Sequence, residues 1–242
     1  MTTGRVRRVG DVVRRPRAFW SPAVHDLLRY LELVDFPAPR LLGVDGGDEL
    51  VSWIEGESGL DGWARIVPYQ GLREWASVLR RYHDAVAGYH PPPDSVWSSG
   101  SGTCLPGQLV CHGDFGPWNG VWRDGWLVGL LDFDHAHPAP PLFDIAYALE
   151  YAAPFRDDEE CLGWLRYREP PDRRRRIQVF CEAYGIAVPD DIVDLVAREQ
   201  RLVLDRCAAL AAQGIEPQAS WVREGYLDTV RARIAWTESF RL

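Results

Sequence analysis

The densest chemistry in this 242-residue chain lies between Leu109 and Asp134, in His112-Gly113-Asp114, then Asn119, then Asp132-Phe133-Asp134. Asp114 and Asn119 sit five apart in a loop punctuated by Gly113, Gly116 and Pro117. That loop falls between an apolar strand over Leu109–Cys111 and a second apolar run, Val121–Leu131, interrupted by Asp124-Gly125. Asp-Gly between apolar runs is a strong hairpin signal, so the second run should fold back on itself and bring Asp132 beside Asn119. A carboxylate and a carboxamide oxygen placed together are hard ligands that suit Mg²⁺, with phosphates completing the shell. Asp114, slightly further out, is a carboxylate able to orient a hydroxyl and accept its proton during phosphoryl transfer.

A different chemistry is also written here. His112, Asp114, Asp132, Asp134, His135 and His137 could assemble a dinuclear hydrolytic metal centre. Against it, His135 and His137 read as loop residues before Pro138, with no helical i, i+4 pair to fix them. Asp134, two beyond Asp132, could face the same cleft as a further metal or structural group. The run Asp157-Asp158-Glu159-Glu160 reads as a solvated charge cluster, or as the seat of an amine-bearing substrate.

The positioning elements follow from periodicity and turn chemistry. Two short strands, 5–9 and 11–15, turn at Gly10. A helix over 21–34 has Ser21 as N-cap, Pro22 at its first position, and Val24, Leu27, Leu28, Leu31 and Val34 on one face;. Strands 41–44 and 49–54 flank Asp45-Gly46-Gly47-Asp48 as a hairpin;. Sheet-like sequence stops at the connector Glu55–Gly59, which sets a lobe boundary near residue 57: a β-rich lobe over 1–57 and a helical lobe over 58–242. Leu72, Trp75, Leu79, Tyr82 and Val86 predict a helix between Gly71 and Gly88;. Further helices are expected at 143–153, 172–184, 190–213 and 218–238. Strands early and helices late make the class α+β.

Composition narrows the partners. The net charge of −8 and pI near 5.3 disfavour nucleic acid and anionic membranes and favour a cationic small molecule;. The run Arg173–Arg176 is expected on an exposed helix face. All 27 basic residues are arginine, which excludes the lysine-dependent P-loop nucleotide fold;. Five cysteines without C-x-x-C spacing, no signal-like leader and no membrane-length apolar run make a cytoplasmic protein the expectation;.

His112-x-Asp114-x-x-x-x-Asn119 followed by Asp132 resembles the signature of the protein-kinase-like superfamily. The glycine after the histidine and the later Asp144-Ile145-Ala146 resemble its aminoglycoside phosphotransferase, choline kinase and fructosamine kinase branch. The resemblance implies a two-lobed fold and transfer of the γ-phosphate of ATP or GTP to a hydroxyl of a small molecule. It implies Asp114 as base, Asn119 and Asp132 as Mg²⁺ ligands, Asp144 as a brace for the loop, and His112 packed beneath the metal-binding turn. The first lobe departs from the pattern. Only Gly4 and Gly10 precede the strand 11–15, so the phosphate cover reads as abbreviated. The phosphate-anchoring lysine is replaced by Arg14 or Arg15, which alternation sends to opposite faces; position directly before Pro16 favours Arg15. The lysine's usual glutamate partner has no counterpart on the helix from Ser21, where Val24 and His25 stand. The competing expectation is therefore a catalytically degenerate relative that binds a nucleotide or metabolite without turnover.

Overall fold

The computed structural model describes residues 6–163 and 165–242, so Gly4 and the expected strand start at Arg5 lie outside the described residues. The first lobe is one antiparallel sheet, β1 (Arg7–Val9), β2 (Val12–Pro16), β3 (Leu41–Asp45) and β4 (Asp48–Ser52), in the order β1-β2-β4-β3. A β1–β2 hairpin turning at Gly10 is thus present, although β1 is only three residues long. The β2–β4 register places Arg15 opposite Glu49 and Arg14 opposite Leu50. Helix α1 (Ser21–Leu33) buries Val24, Leu27, Leu28 and Leu31 of the face its spacing predicts, together with His25, while Val34, the fifth residue expected there, is the exposed C-cap. Ser21 is not the N-cap: Trp20 holds that position, and the Ser21 hydroxyl instead accepts a bond from the Ala18 N–H at 3.0 Å.

The connector is stitched to the second lobe. Glu57 and Trp122 exchange backbone bonds of 2.7 and 2.8 Å. Just before this, Gly56 has φ +152°, and a Cβ there would lie 2.6 Å from the Trp122 carbonyl oxygen. Only glycine passes this close.

Beyond the connector come α2 (Leu60–Arg65), too short to show a period in the sequence, and α3 (Tyr69–Val86), which buries Leu72, Trp75, Leu79, Tyr82 and Val86. The pair β5 (Val96–Trp97) and β6 (Gly100–Ser101) precedes β7 (Leu109–Cys111), while β8 (Gly120–Arg123) and β9 (Trp126–Leu130) form the hairpin expected at Asp124-Gly125. The residues around His137, expected as an irregular loop, form β10 (His137–Ala139), paired with β7 so that His137 faces Cys111 across the ladder. Helices α4 (Leu142–Ala152), α5 (Asp158–Gly163), α6 (Arg173–Tyr184) and α7 (Ile192–Ala212) follow. The single helix expected over 218–238 is two, α8 (Gln218–Arg223) and α9 (Tyr226–Ser239), broken where Gly225 takes φ +87°. Among the described residues no helix is long and apolar enough to cross a membrane.

The arginine run corrects another expectation. Arg174 and Arg175 are exposed, but Arg173 and Arg176 are buried. Arg176 donates to the carbonyls of Ile66 (2.7 Å), Val67 (2.7 Å) and Ala152 (2.5 Å), and Arg173 to those of Pro154 and Arg156. Carbonyls at a helix C-terminus have no intrahelical donor; at the ends of α2 and α4 these guanidiniums supply one, with charge of the sign the dipole favours. The acidic run is likewise structural: Asp158 pairs with Arg173 at 2.8 Å, and Glu160 with Arg156 and Arg233 at 3.0 and 2.6 Å.

Candidate functional site

The hairpin closes at its base. Gly120 pairs with Leu130, and the Leu131 N–H donates to the Asn119 carbonyl at 2.8 Å, so Asn119 and Asp132 end the two strands side by side. Asp132 adopts φ 62°, ψ 72°, a left-handed conformation that aspartate tolerates better than most residues.

The loop from His112 to Asp114 is fixed from beneath. Asp144, in the first turn of α4 and fully buried, accepts the His112 N–H at 2.7 Å and the Gly113 N–H at 2.9 Å. It also accepts from His83 Nε2 at 3.1 Å, and His83 Nδ1 in turn accepts from the Tyr184 hydroxyl at 2.7 Å. Burial alone would raise the Asp144 carboxyl, but the His83 donor, the nearby His112 and the Gly113 amide hold it below the usual carboxylate range. Gly113 has φ +77°, and a Cβ would fall 1.9 Å from the His135 carbonyl oxygen, so no other residue fits. His112 Nε2 donates to the Leu131 carbonyl at 2.9 Å while Nδ1 accepts from the Asp114 N–H. Burial keeps this imidazole neutral by lowering its pKa.

Asp114 therefore leaves a rigid loop. Its Oδ2 accepts from Asn119 Nδ2 at 2.9 Å and from Trp118 Nε1 at 3.4 Å, and its Oδ1 accepts from the Tyr147 hydroxyl. Burial and the adjacent carboxylate push the Tyr147 phenol well up, so it stays a donor. Asn119 spends both amide protons, on the Asp114 carbonyl and carboxylate, and its Oδ1 has no partner among the described residues. Asp132 Oδ2 is likewise without a hydrogen bond among them. Two hard oxygens at adjacent chain ends fit a divalent cation of the Mg²⁺ type.

From the other lobe, Arg15 reaches this base. It donates through Nη1 to Asp132 Oδ1 at 3.4 Å, through Nη2 to Asp134 Oδ1 at 2.8 Å, and through Nε to Glu49. Glu49, buried, is held on its second oxygen by His25 of α1. Glu49 of β4 and His25 of α1 thus hold Arg15 from the side away from the hairpin base. Crowding by protein would raise the Asp132 carboxyl, but Arg15 holds it below the usual range; Asp134 is pushed up by burial and by the neighbouring Asp132 and Glu49. Arg14 points away, bound to Asp45 (2.7 Å) and Asp48 (2.5 Å) at the β3–β4 turn.

The histidines do not gather into a metal centre. Both His112 nitrogens are used, His137 Nδ1 donates to the His135 carbonyl, and His135 Nδ1 meets Ser98 at 3.4 Å. Among the described residues, His83, Cys111 and Asp144 bring ligand-type atoms within 4.8 Å of one another. Both Asp144 oxygens are already committed to N–H donors, so this trio braces the loop. Sequence reasoning missed Glu49, His25, Tyr147 and His83. Tyr147 alone had a local signal, one helical turn from Asp144 on the same face.

The architecture is that of the two-lobed, protein-kinase-like phosphotransferases, and residues 103–178 match the model of the phosphotransferase enzyme family. The trifolitoxin immunity protein of Rhizobium leguminosarum bv. trifolii is 38% identical over 193 residues, covering 75% of this chain and 70% of that protein. The chain belongs to the phosphotransferase enzyme family. Amicoumacin kinase, solved in complex with AMP-PNP, Ca²⁺ and Ami, superposes with a TM-score of 0.59 at 13% identity, covering 95% of this chain and 87% of that one. The GDP complex of aminoglycoside 2′-phosphotransferase-IIIa superposes with a TM-score of 0.57 at 14% identity, covering 96% and 88%. At such identities the likeness is one of fold.

Proposed function

We propose that this protein transfers the γ-phosphate of ATP or GTP to a hydroxyl of a small molecule. The observation that carries the reading is Asp114, clamped by Asn119 and Tyr147 beside the Asn119/Asp132 oxygen pair. The acceptor hydroxyl gives its proton to Asp114 as its oxygen bonds to the γ-phosphorus, and the bond from that phosphorus to the β-phosphate oxygen breaks, releasing nucleoside diphosphate. Asn119 and Asp132 would hold Mg²⁺, which supplies neutralisation of the phosphate charge. Asp144 and His112 keep Asp114 in place. Arg15, with its charge directed by Glu49, is the residue positioned to meet the donor phosphates, while Arg14 is committed elsewhere. The name of the 38% identical relative, an immunity protein, makes trifolitoxin and other antibiotics first candidates for the acceptor, and metabolites with free hydroxyls the next.

The test is transfer from γ-labelled ATP and GTP to such a panel. Asp114→Asn should lower turnover by roughly 10²–10⁴, the usual worth of a positioned base, with Mg-nucleotide binding retained; equal activity of variant and wild type on a true acceptor removes the role. Arg15→Ala should raise the nucleotide KM at least tenfold, about 1.4 kcal/mol, with Arg14→Ala near wild type. A specific observation favours the degenerate-binder alternative: the Arg15 fork is already bonded to both Asp132 and Asp134. Calorimetric titration with Mg-ADP and Mg-GDP decides this, because a nucleotide that binds without turnover on any acceptor supports that alternative.

A further inference from the structure

We propose that Arg206, on α7, forms an anion subsite for the phosphate acceptor, so that the hydroxyl served by Asp114 belongs to a molecule bearing a carboxylate. The inference rests on the phosphotransferase reading of Asp114.

Arg206 stands apart from the other guanidiniums drawn into the protein. Arg15 meets three carboxylates, Arg156 and Arg233 share Glu160, Arg173 is held by two carbonyls and Asp158, and Arg176 by three carbonyls. Arg206 is half-buried, and among the described residues no carboxylate oxygen lies within 4.0 Å of it. Its one polar contact among the described residues is a long one, Nη2 to His137 Nε2 at 3.4 Å, and its guanidinium carbon is 5.9 Å from the Phe143 ring centre, at the outer limit of a cation–π contact;. Five N–H donors in a planar fork are therefore served by one weak acceptor. A partly buried donor left this way carries a desolvation penalty unless a ligand relieves it.

Its surroundings say where that ligand sits. Arg206 faces the Phe143 ring of α4, and Tyr147 lies one turn further along the same face of that helix;. Tyr147 is the residue that holds Asp114 Oδ1, whereas Asn119 holds Oδ2. Arg15 enters from the β-rich lobe at Asp132, and Arg206 from the helical lobe, against the Phe143 ring on the α4 face that carries Tyr147. In-line transfer needs donor and acceptor on opposite sides of the moving phosphoryl group, and this assigns Arg206 to the acceptor's side.

Glu199 lies two turns earlier on α7 and is the partner the sequence would supply, but it does not neutralise Arg206. It is buried, both its oxygens lack a hydrogen bond, and burial with the adjacent Glu150 pushes its carboxyl well above the usual range. The overall charge of −8 favours cations, yet that long-range field is screened beyond roughly 10 Å. A fork at contact distance in a partly buried site is screened far less, and its planar geometry matches a carboxylate bidentately.

Three size-matched probes test this on the full chain by ligand-observed NMR titration, with and without Mg-AMP-PNP: glycerate, its neutral amide glyceramide, and the cationic serinol. Wild type should bind glycerate at least tenfold more tightly than glyceramide. Arg206→Gln should abolish that preference, and Arg206→Lys should keep part of it as a point charge; thermal melts of both variants verify folding. Glycerate binding no tighter than glyceramide, a stronger response to serinol, or a preference that survives in a folded Arg206→Gln overturns the proposal. Failure of the phosphotransferase reading shows separately, as absence of Mg-AMP-PNP binding while the Arg206-dependent preference for glycerate persists.

Discussion

Asp144→Asn should destabilise the protein by about 2.5–6 kcal/mol without needing any substrate to reveal it. The carboxylate is fully buried and divides its oxygens among three donors: Oδ1 takes the Gly113 N–H, and Oδ2 takes the His112 N–H and His83 Nε2. A carboxamide has one oxygen. If it keeps the Oδ2 place, its NH₂ faces the Gly113 N–H, and two buried donors meet head to head. The loss is one charge-assisted bond, about 1.5–3 kcal/mol, plus a stranded amide at about 1–3 kcal/mol. Against a total stability of about 5–15 kcal/mol, that is a large fraction. Guanidinium unfolding followed by circular dichroism measures it, provided the slope with denaturant is unchanged. The pH dependence gives an internal check. The folded carboxyl titrates below its ordinary value of 3.8, so its stabilisation is complete above that pH and disappears as pH falls through the lower folded value. The gap between wild type and variant should therefore close in acid. A variant within 1 kcal/mol of wild type at neutral pH, or a gap that stays constant below pH 3, would refute the brace.

Two further outcomes follow from buried charge. Glu49→Gln removes one partner of the buried Arg15–Glu49–His25 set; it should cost about 3–5 kcal/mol in denaturant unfolding and, with Arg15 no longer directed, raise the nucleotide KM at least tenfold. Burial first, and the nearby Arg206 second, push His137 down from 6.5 to about 4. A folded pKa below the unfolded one means stability present above pH 6.5 and lost as pH falls toward 4, by up to about 3 kcal/mol; His137→Gln should flatten that limb, and an unchanged slope in pH-dependent thermal melts would show that His137 does not titrate this way.

What the sequence made legible was local. Asp114, Asn119 and Asp132 share one loop and one hairpin, and a two-residue Asp-Gly turn is enough to say that residue 132 returns to residue 119. The buried faces of α1 and α3 were written at helical spacing. What was hidden depends on contacts between distant segments. Arg173 and Arg176 look like surface charge until the ends of α2 and α4 present carbonyls that lack donors. The three-residue β10, with a proline at its centre, has no pattern of its own and exists because β7 offers it a ladder. Glu49 could not be assigned because its value lies in the register of β4 against β2, and a single-residue slip would turn it to the other face. That register also decides what Arg15 can reach. On paired antiparallel strands Glu49 is directly opposite Arg15, close to the side chain's root, within reach of Nε. The two terminal nitrogens then remain to face Asp132 and Asp134. A lysine carries all its donors on one terminal nitrogen, and could serve either the strand glutamate or the acidic hairpin base, but not both across that span.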